Sequence, residues 1–246
     1  MASWVTHLMI ADRLLEAFPA LDPRGFCVGS IAPDCNVENA DFTAFEPPRE
    51  KTHWMAAPGQ KRLEDAERFW SEYVLPGRWD AAAAEERAFL LGYYAHLVAD
   101  AAYQVLVHDP AHVEAIRARM LADAALGPRA RELPADWTAL KRLLPKAART
   151  RELNAIDAET LAAHPRSGYL IWIVPLRSFP DYLDFLPPGA IARKVRVMGG
   201  VPKRDPEVKY IGMLPEEVWE YAARSAARLE GLLREKMDGA RGPAGR

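Results

Sequence analysis

Apolar residues recur at three- and four-residue spacing over residues 4–18, where Trp4, Leu8, Ile10, Ala11, Leu14, Leu15 and Phe18 predict a packed helix ending before Pro19. His7 falls on its first or second turn. Residues 22–48 carry Gly25, Gly29, Pro33, Asn36 and Pro47-Pro48, a composition of turns and loops with room for a short helix at 26–31. Leu63, Ala66, Phe69, Trp70 and Tyr73 place a helix over 60–74, stopped by Pro76-Gly77. From 82 to 107 the chain is apolar nearly all round beyond Arg87, as expected of a central helix enclosed by others.

The second half predicts a helix over 110–125 and another over 137–153, interrupted at Pro145. The run 169–174, Tyr-Leu-Ile-Trp-Ile-Val, suits either a strand or a buried helical turn. Residues 179–186 read as a short helix. Residues 190–206, with Lys194, Arg196, Lys203 and Arg204 around Gly199-Gly200, read as a basic loop. Pro215 followed by Glu216-Glu217 opens a final helix to about residue 237. With no repeat and no convincing strand pair, the pattern predicts an all-α, multi-helix bundle in one domain, 1–240, with a flexible tail at 241–246.

At 246 residues, half of them hydrophobic, the chain is long enough for a sizeable core. Thirty-two basic against 34 acidic residues leave a net charge of -2, so nothing points strongly to nucleic-acid binding. The apolar runs at 89–98 and 169–176 are too short to cross a bilayer. The opening Met-Ala-Ser-Trp-Val-Thr-His does not read as an export leader, and two cysteines, Cys27 and Cys35, make no disulfide framework. These features predict a cytoplasmic protein.

Candidate chemistry centres on His96 and Asp100, four residues apart and therefore on one face of an apolar helix. Burying both requires a partner or a cation. His7, Asp34 and His53 complete a candidate constellation of imidazoles and carboxylates, the donor types of a hydrolytic zinc site, although manganese or iron would also suit them. Each member has a plainer reading. His96 and Asp100 can form a hydrogen-bonded pair, His53 can sit in an exposed loop, His7 can pack or cap its helix, and Asp34 after Pro33 can make an Asx turn. Spacing alone does not bring the four segments together.

The ordered motifs Trp4-x-x-His7, Gly29-Ser30-Ile31-Ala32-Pro33-Asp34, Thr52-His53-Trp54 and Gly92-Tyr93-x-x-His96-x-x-x-Asp100 resemble the bacterial zinc-dependent phospholipase C family, related in fold to the single-strand-specific zinc nucleases. The resemblance covers the first 110 residues well and the rest loosely. It implies a helical fold, metal ligands at His7, Asp34, His53, His96 and Asp100, and hydrolysis of phosphate esters by metal-activated water. Asp34 or Asp100 would accept the attacking proton.

The later family ligands, a His and a His-x-x-x-Glu pair, have no match, since His164 has Gly168 four residues on and Glu114 follows His112 too closely. One zinc ion is therefore expected, with His108 and His112 the candidates for a second. Trp54, Tyr93 and Tyr94 are candidate walls for a small phosphoester or phospholipid headgroup. The alternative from another class is a non-catalytic helical module stabilised by metal.

Overall fold

The computed structural model describes residues 2–39, 43–75 and 77–240. The tail expected at 241–246 lies outside the described residues. Helix α1 (Trp4–Ala17) starts at Ser3, whose hydroxyl accepts from Thr6 N at 3.1 Å. Helix α2 (Pro23–Gly29) starts at Asp22, which accepts from Gly25 N at 2.7 Å, with Pro23 in the first turn where no N–H is needed. It begins three residues before the expected short helix. A 3-10 turn, Ala32–Asp34, follows, and then a two-stranded antiparallel hairpin, β1 (Val37–Glu38) and β2 (Phe45–Glu46).

The chain continues through α3 (Arg49–Thr52) and α4 (Leu63–Arg68), which widens into a π-helical segment at Phe69–Val74. After α5 (Arg78–Ala81) comes α6 (Ala84–His108), the central helix, buried without a break from Ala88 to Ala101. The second half holds α7 (Pro110–Ala122), α8 (Gly127–Arg131), α9 (Trp137–Leu140) and α10 (Lys146–Ala163). Tyr169–Ile173 forms a π-helical turn rather than a strand, and α11 (Ala190–Met198) and α12 (Pro215–Gly239) close the bundle. The fold is all-α apart from the small hairpin.

Helix α2 packs against α6 more extensively than any other pair of elements. The approach is close because three glycines meet. A Cβ on Gly25, Gly29 or Gly92 would lie 2.3 Å from Glu85 O, 2.1 Å from Phe89 O or 2.2 Å from Phe26 O. No side chain larger than hydrogen fits there. The contact sets the loop after α2, and hence Ser30 and Asp34, against the middle of α6. Helix α12 covers the other side, where Tyr221 donates to Ala99 O at 2.6 Å.

The main core joins α1, α2, α6, the π turn, α11 and α12, while a smaller apolar cluster of Val113, Ile116, Met120, Leu140 and Leu144 sits under α7–α9. Two expectations need correction. Residues 179–186 form no helix, and 190–198 is helix rather than loop. The second has a specific cause. Lys194 is buried because its ammonium pairs with Glu38 on β1, which Arg193 also contacts at 2.9 Å, so a residue that reads as solvated is tied into the fold. No helix among the described residues is long and apolar enough to cross a membrane.

Candidate metal centre

His96 and Asp100 sit in the buried middle of α6, one turn apart, and point at the elements that α6 packs against. His7 comes from the second turn of α1 and stacks on His96 with ring centroids 3.9 Å apart. Asp34 comes from the 3-10 turn. His53 ends α3, where the chain reverses through Trp54 at φ 55° and Met55 N closes onto Glu50 O at 2.9 Å. This is a helix C-cap built on a left-handed residue, a place that normally favours glycine. The structure thus brings all five side chains together, each no more than 8% exposed.

Their atoms lie at spacings a small cation would impose. His53 Nε2 is 3.3 Å from Asp34 Oδ1 and 3.5 Å from Asp100 Oδ2, His96 Nε2 is 3.4 Å from Asp100 Oδ2, and His7 Nε2 is 3.7 Å from Asp100 Oδ1. Four donors around zinc at about 2.0–2.1 Å stand roughly 3.3–3.4 Å from one another in a tetrahedron. Two overlapping sets emerge, His7 with His96 and Asp100, and Asp34 with His53 and His96. His96 has one ring nitrogen to offer, whereas Asp100 turns one oxygen to His7 and the other to His53 and His96, so it can serve both sets.

The hydrogen bonds around the rings favour ligation. His96 Nδ1 is 2.8 Å from Ser30 O, and His53 Nδ1 is 3.2 Å from Arg49 O. A carbonyl only accepts, so the Ser30 contact puts the His96 proton on Nδ1 and leaves Nε2 its lone pair for the centre, while His53 Nδ1 is also 3.0 Å from the Thr52 hydroxyl, which can accept from it in the same tautomer. The Nε2 atoms of His7, His53 and His96, together with Asp100 Oδ1, are buried with no hydrogen-bond partner. Four such atoms converging in one place are costly unless something satisfies them, and a cation does so. Zinc therefore fits the donor set.

The electrostatics agree. Burial lowers His7 to about 4, helped by the stacked His96, and burial also lowers His53, so both rings are neutral at physiological pH. Burial alone would raise Asp34, but His53, His96 and Arg49 outweigh it and hold its carboxyl well below the usual range. For Asp100, Lys61 and then the histidines outweigh burial in the same way. The centre holds two ionised carboxylates beside the neutral rings of His7 and His53.

Around it stand Trp4, the first residue of the Trp4-x-x-His7 motif, and two cations that the sequence does not single out. Trp4 Nε1 donates to Asp34 Oδ2 at 3.2 Å, Arg49 Nη2 donates to Asp34 Oδ1 at 2.7 Å, and the Lys61 ammonium pairs with Asp100. Lys61 arrives on a loop whose two ends are pinned by buried Asp65, which accepts from Ala56 N at 3.2 Å and Arg62 N at 2.9 Å. The need of two buried carboxylates for cations was the available signal. Arg49, Lys61, Asp100, Tyr103 and Gln104 line a cavity of about 270 Å³ at the edge of the centre.

Other expected residues lie elsewhere. Tyr93 and Tyr94 are fully buried, not cleft walls. Their hydroxyls are consumed by the fold, Tyr93 on Thr52 O and Tyr94 on Glu67 at 2.6 Å. Trp54 packs against Phe69, Tyr73 and Phe185 and borders a separate cavity. His108 is exposed at the end of α6, with Nδ1 2.9 Å from Gln104 O, while His112 faces Glu217 at 3.7 Å. Neither joins a candidate ligand set among the described residues.

No curated protein and no solved structure matches the chain. The family model described as zinc dependent phospholipase C matches residues 6–133. That span is just over half of the sequence and contains His7, Asp34, His53, His96 and Asp100, and the chain belongs to the zinc-dependent phospholipase C family.

Proposed function

We propose that the protein is a metal-dependent hydrolase of phosphate esters, phospholipase C-like, with zinc held by His7, Asp34, His53, His96 and Asp100 within one helical domain spanning 1–240. The observation that carries this reading is the convergence of three unpartnered Nε2 atoms and one unpartnered carboxylate oxygen in the bundle. The chemistry that zinc supplies at such a donor set is polarisation of a phosphoryl oxygen and acidification of water.

The chain's own groups account for the rest. Arg49 and Lys61 bring a guanidinium and an ammonium to the wall of the 270 Å³ cavity and would bind the oxygens of a phosphate entering it. That volume suits a phosphate headgroup rather than acyl chains. Asp34 and Asp100 are the carboxylates to which the proton of the attacking water would pass. The free, buried thiols of Cys27 and Cys35 support the expected cytoplasmic setting.

Metal analysis paired with phosphodiester assays tests the reading. Bound zinc, with headgroup release from phosphatidylcholine or cleavage of a soluble phosphodiester that is lost in His53→Gln, is the expected result. Bound zinc with no hydrolysis of either substrate would make the ion structural and replace this reading with the metal-stabilised module.

A further inference from the structure

The last turn of α11 and the loop after it expose Val197, Met198 and Val201 by 58%, 50% and 52%, three of the large apolar side chains most open to water, within five residues. Isolated exposed apolar groups are ordinary, but a contiguous cluster is not. The knuckle is held firmly. Gly199 N donates to Val195 O at 2.7 Å, a Cβ on Gly199 would lie 2.6 Å from that oxygen, and the Tyr169 hydroxyl donates to Gly200 O at 2.9 Å. Its root is fixed through Arg193 and Lys194 to Glu38, on the hairpin between Asp34 and His53.

Basic groups flank the apolar tip. Arg196, Lys203 and Arg204 are exposed beside it, and Lys203 and Arg204 continue into an open groove of about 860 Å³ shared with Lys146 and Arg151. The acid in that groove, Asp205, is already paired with Arg151 at 3.0 Å. Apolar side chains that project from a basic collar complement a surface with anionic groups outside and hydrocarbon beneath. A nucleic acid would leave the apolar tip wet, and an apolar protein face would leave the cations without partners.

We propose that this knuckle docks the protein on the surface of an anionic phospholipid bilayer, with Val197, Met198 and Val201 entering the interface and Lys203, Arg204 and Lys146 meeting lipid phosphates. The site lies outside the family-matched span and does not depend on hydrolysis.

Sedimentation of the full chain with vesicles tests it, using phosphatidylcholine alone and phosphatidylcholine mixed with phosphatidylglycerol, in zinc-containing and in chelator-containing buffer. The expected result is binding to the mixed vesicles only, weakened by salt. Lys203→Ala with Arg204→Ala should weaken it about 25-fold, since one basic residue near the surface contributes roughly five-fold. Val197→Asp with Met198→Asp should abolish vesicle binding while leaving the thermal melt unchanged. Equal binding to both vesicle types, no binding to either, or full binding by the aspartate variant would overturn the proposal. So would a dimer in solution that the aspartate variant dissociates, because a second copy would then cover the knuckle.

Discussion

Zinc added to chelator-treated protein should raise its melting temperature by about 8–16 °C, and the size of that shift follows from the centre. His7 Nε2, His53 Nε2, His96 Nε2 and Asp100 Oδ1 are buried without partners, each at a cost of about 1–3 kcal/mol. An ion that satisfies them in the folded chain alone adds RT ln(1 + [L]/Kd), or about 4 kcal/mol at a thousand-fold excess over Kd. In a chain of this size 1 kcal/mol moves Tm by roughly 2–4 °C, which gives the range. Differential scanning calorimetry with zinc and with magnesium reads it directly. Magnesium demands oxygen donors and should do little. His96→Gln removes the ring common to both candidate sets and should abolish most of the zinc shift. A zinc shift of equal size in His96→Gln, or none in the native chain, would refute the reasoning.

Further outcomes follow from the packing and charges. Gly29→Ala places a Cβ 2.1 Å from Phe89 O and should cost about 3 kcal/mol, lowering the circular-dichroism melt by roughly 6–12 °C, whereas an unchanged melt would show that α2 and α6 can separate freely. Asp157, pushed up to about 7 by burial against the opposing effect of the Ser3 hydroxyl that donates to it, has its folded pKa above its unfolded 3.8. Its contribution is complete below the unfolded value and is lost as pH rises through 7, a fall of about 4 kcal/mol. Asp157→Asn should therefore remove that fall, of which the part above pH 5, about 3 kcal/mol, is read by urea unfolding at about pH 5 and about pH 8, and an unaltered pH slope would contradict it. Lys61→Ala leaves Asp100 without its ammonium and should cost the chelated protein about 3–5 kcal/mol, a deficit that zinc should largely restore. A loss that zinc does not touch would make Lys61 a purely structural partner.

Much of the bundle was legible because its signals are local. Pro110 marks a helix start through the Asp109 cap that the structure contains, and the unbroken apolar run of α6 announced a helix enclosed on all sides, whereas the Asp22-Pro23 start of α2 was hidden in a stretch whose glycines and prolines read as turns. Long-range pairing defeated the reading elsewhere. Lys194 and Arg196 suggested a solvated loop because Glu38, the carboxylate that buries the Lys194 ammonium, lies 156 positions away. Tyr93 and Tyr94 suggested a cleft wall because their acceptors, Thr52 O and Glu67, come from other elements. At the centre, one helical turn explains why His96 and Asp100 meet. The glycine contact of α2 with α6, which brings Asp34 inward, and the left-handed Trp54 that turns the chain after His53 became visible only in three dimensions.

The central claim, that five side chains from four segments hold zinc, is tested most directly by anomalous diffraction at the zinc edge from crystals grown with zinc. The expected result is an anomalous peak bonded to His96 Nε2, with its other ligands drawn from His7, Asp34, His53 and Asp100. A zinc-containing crystal with no peak among these atoms, or with its peak elsewhere on the chain, would contradict it.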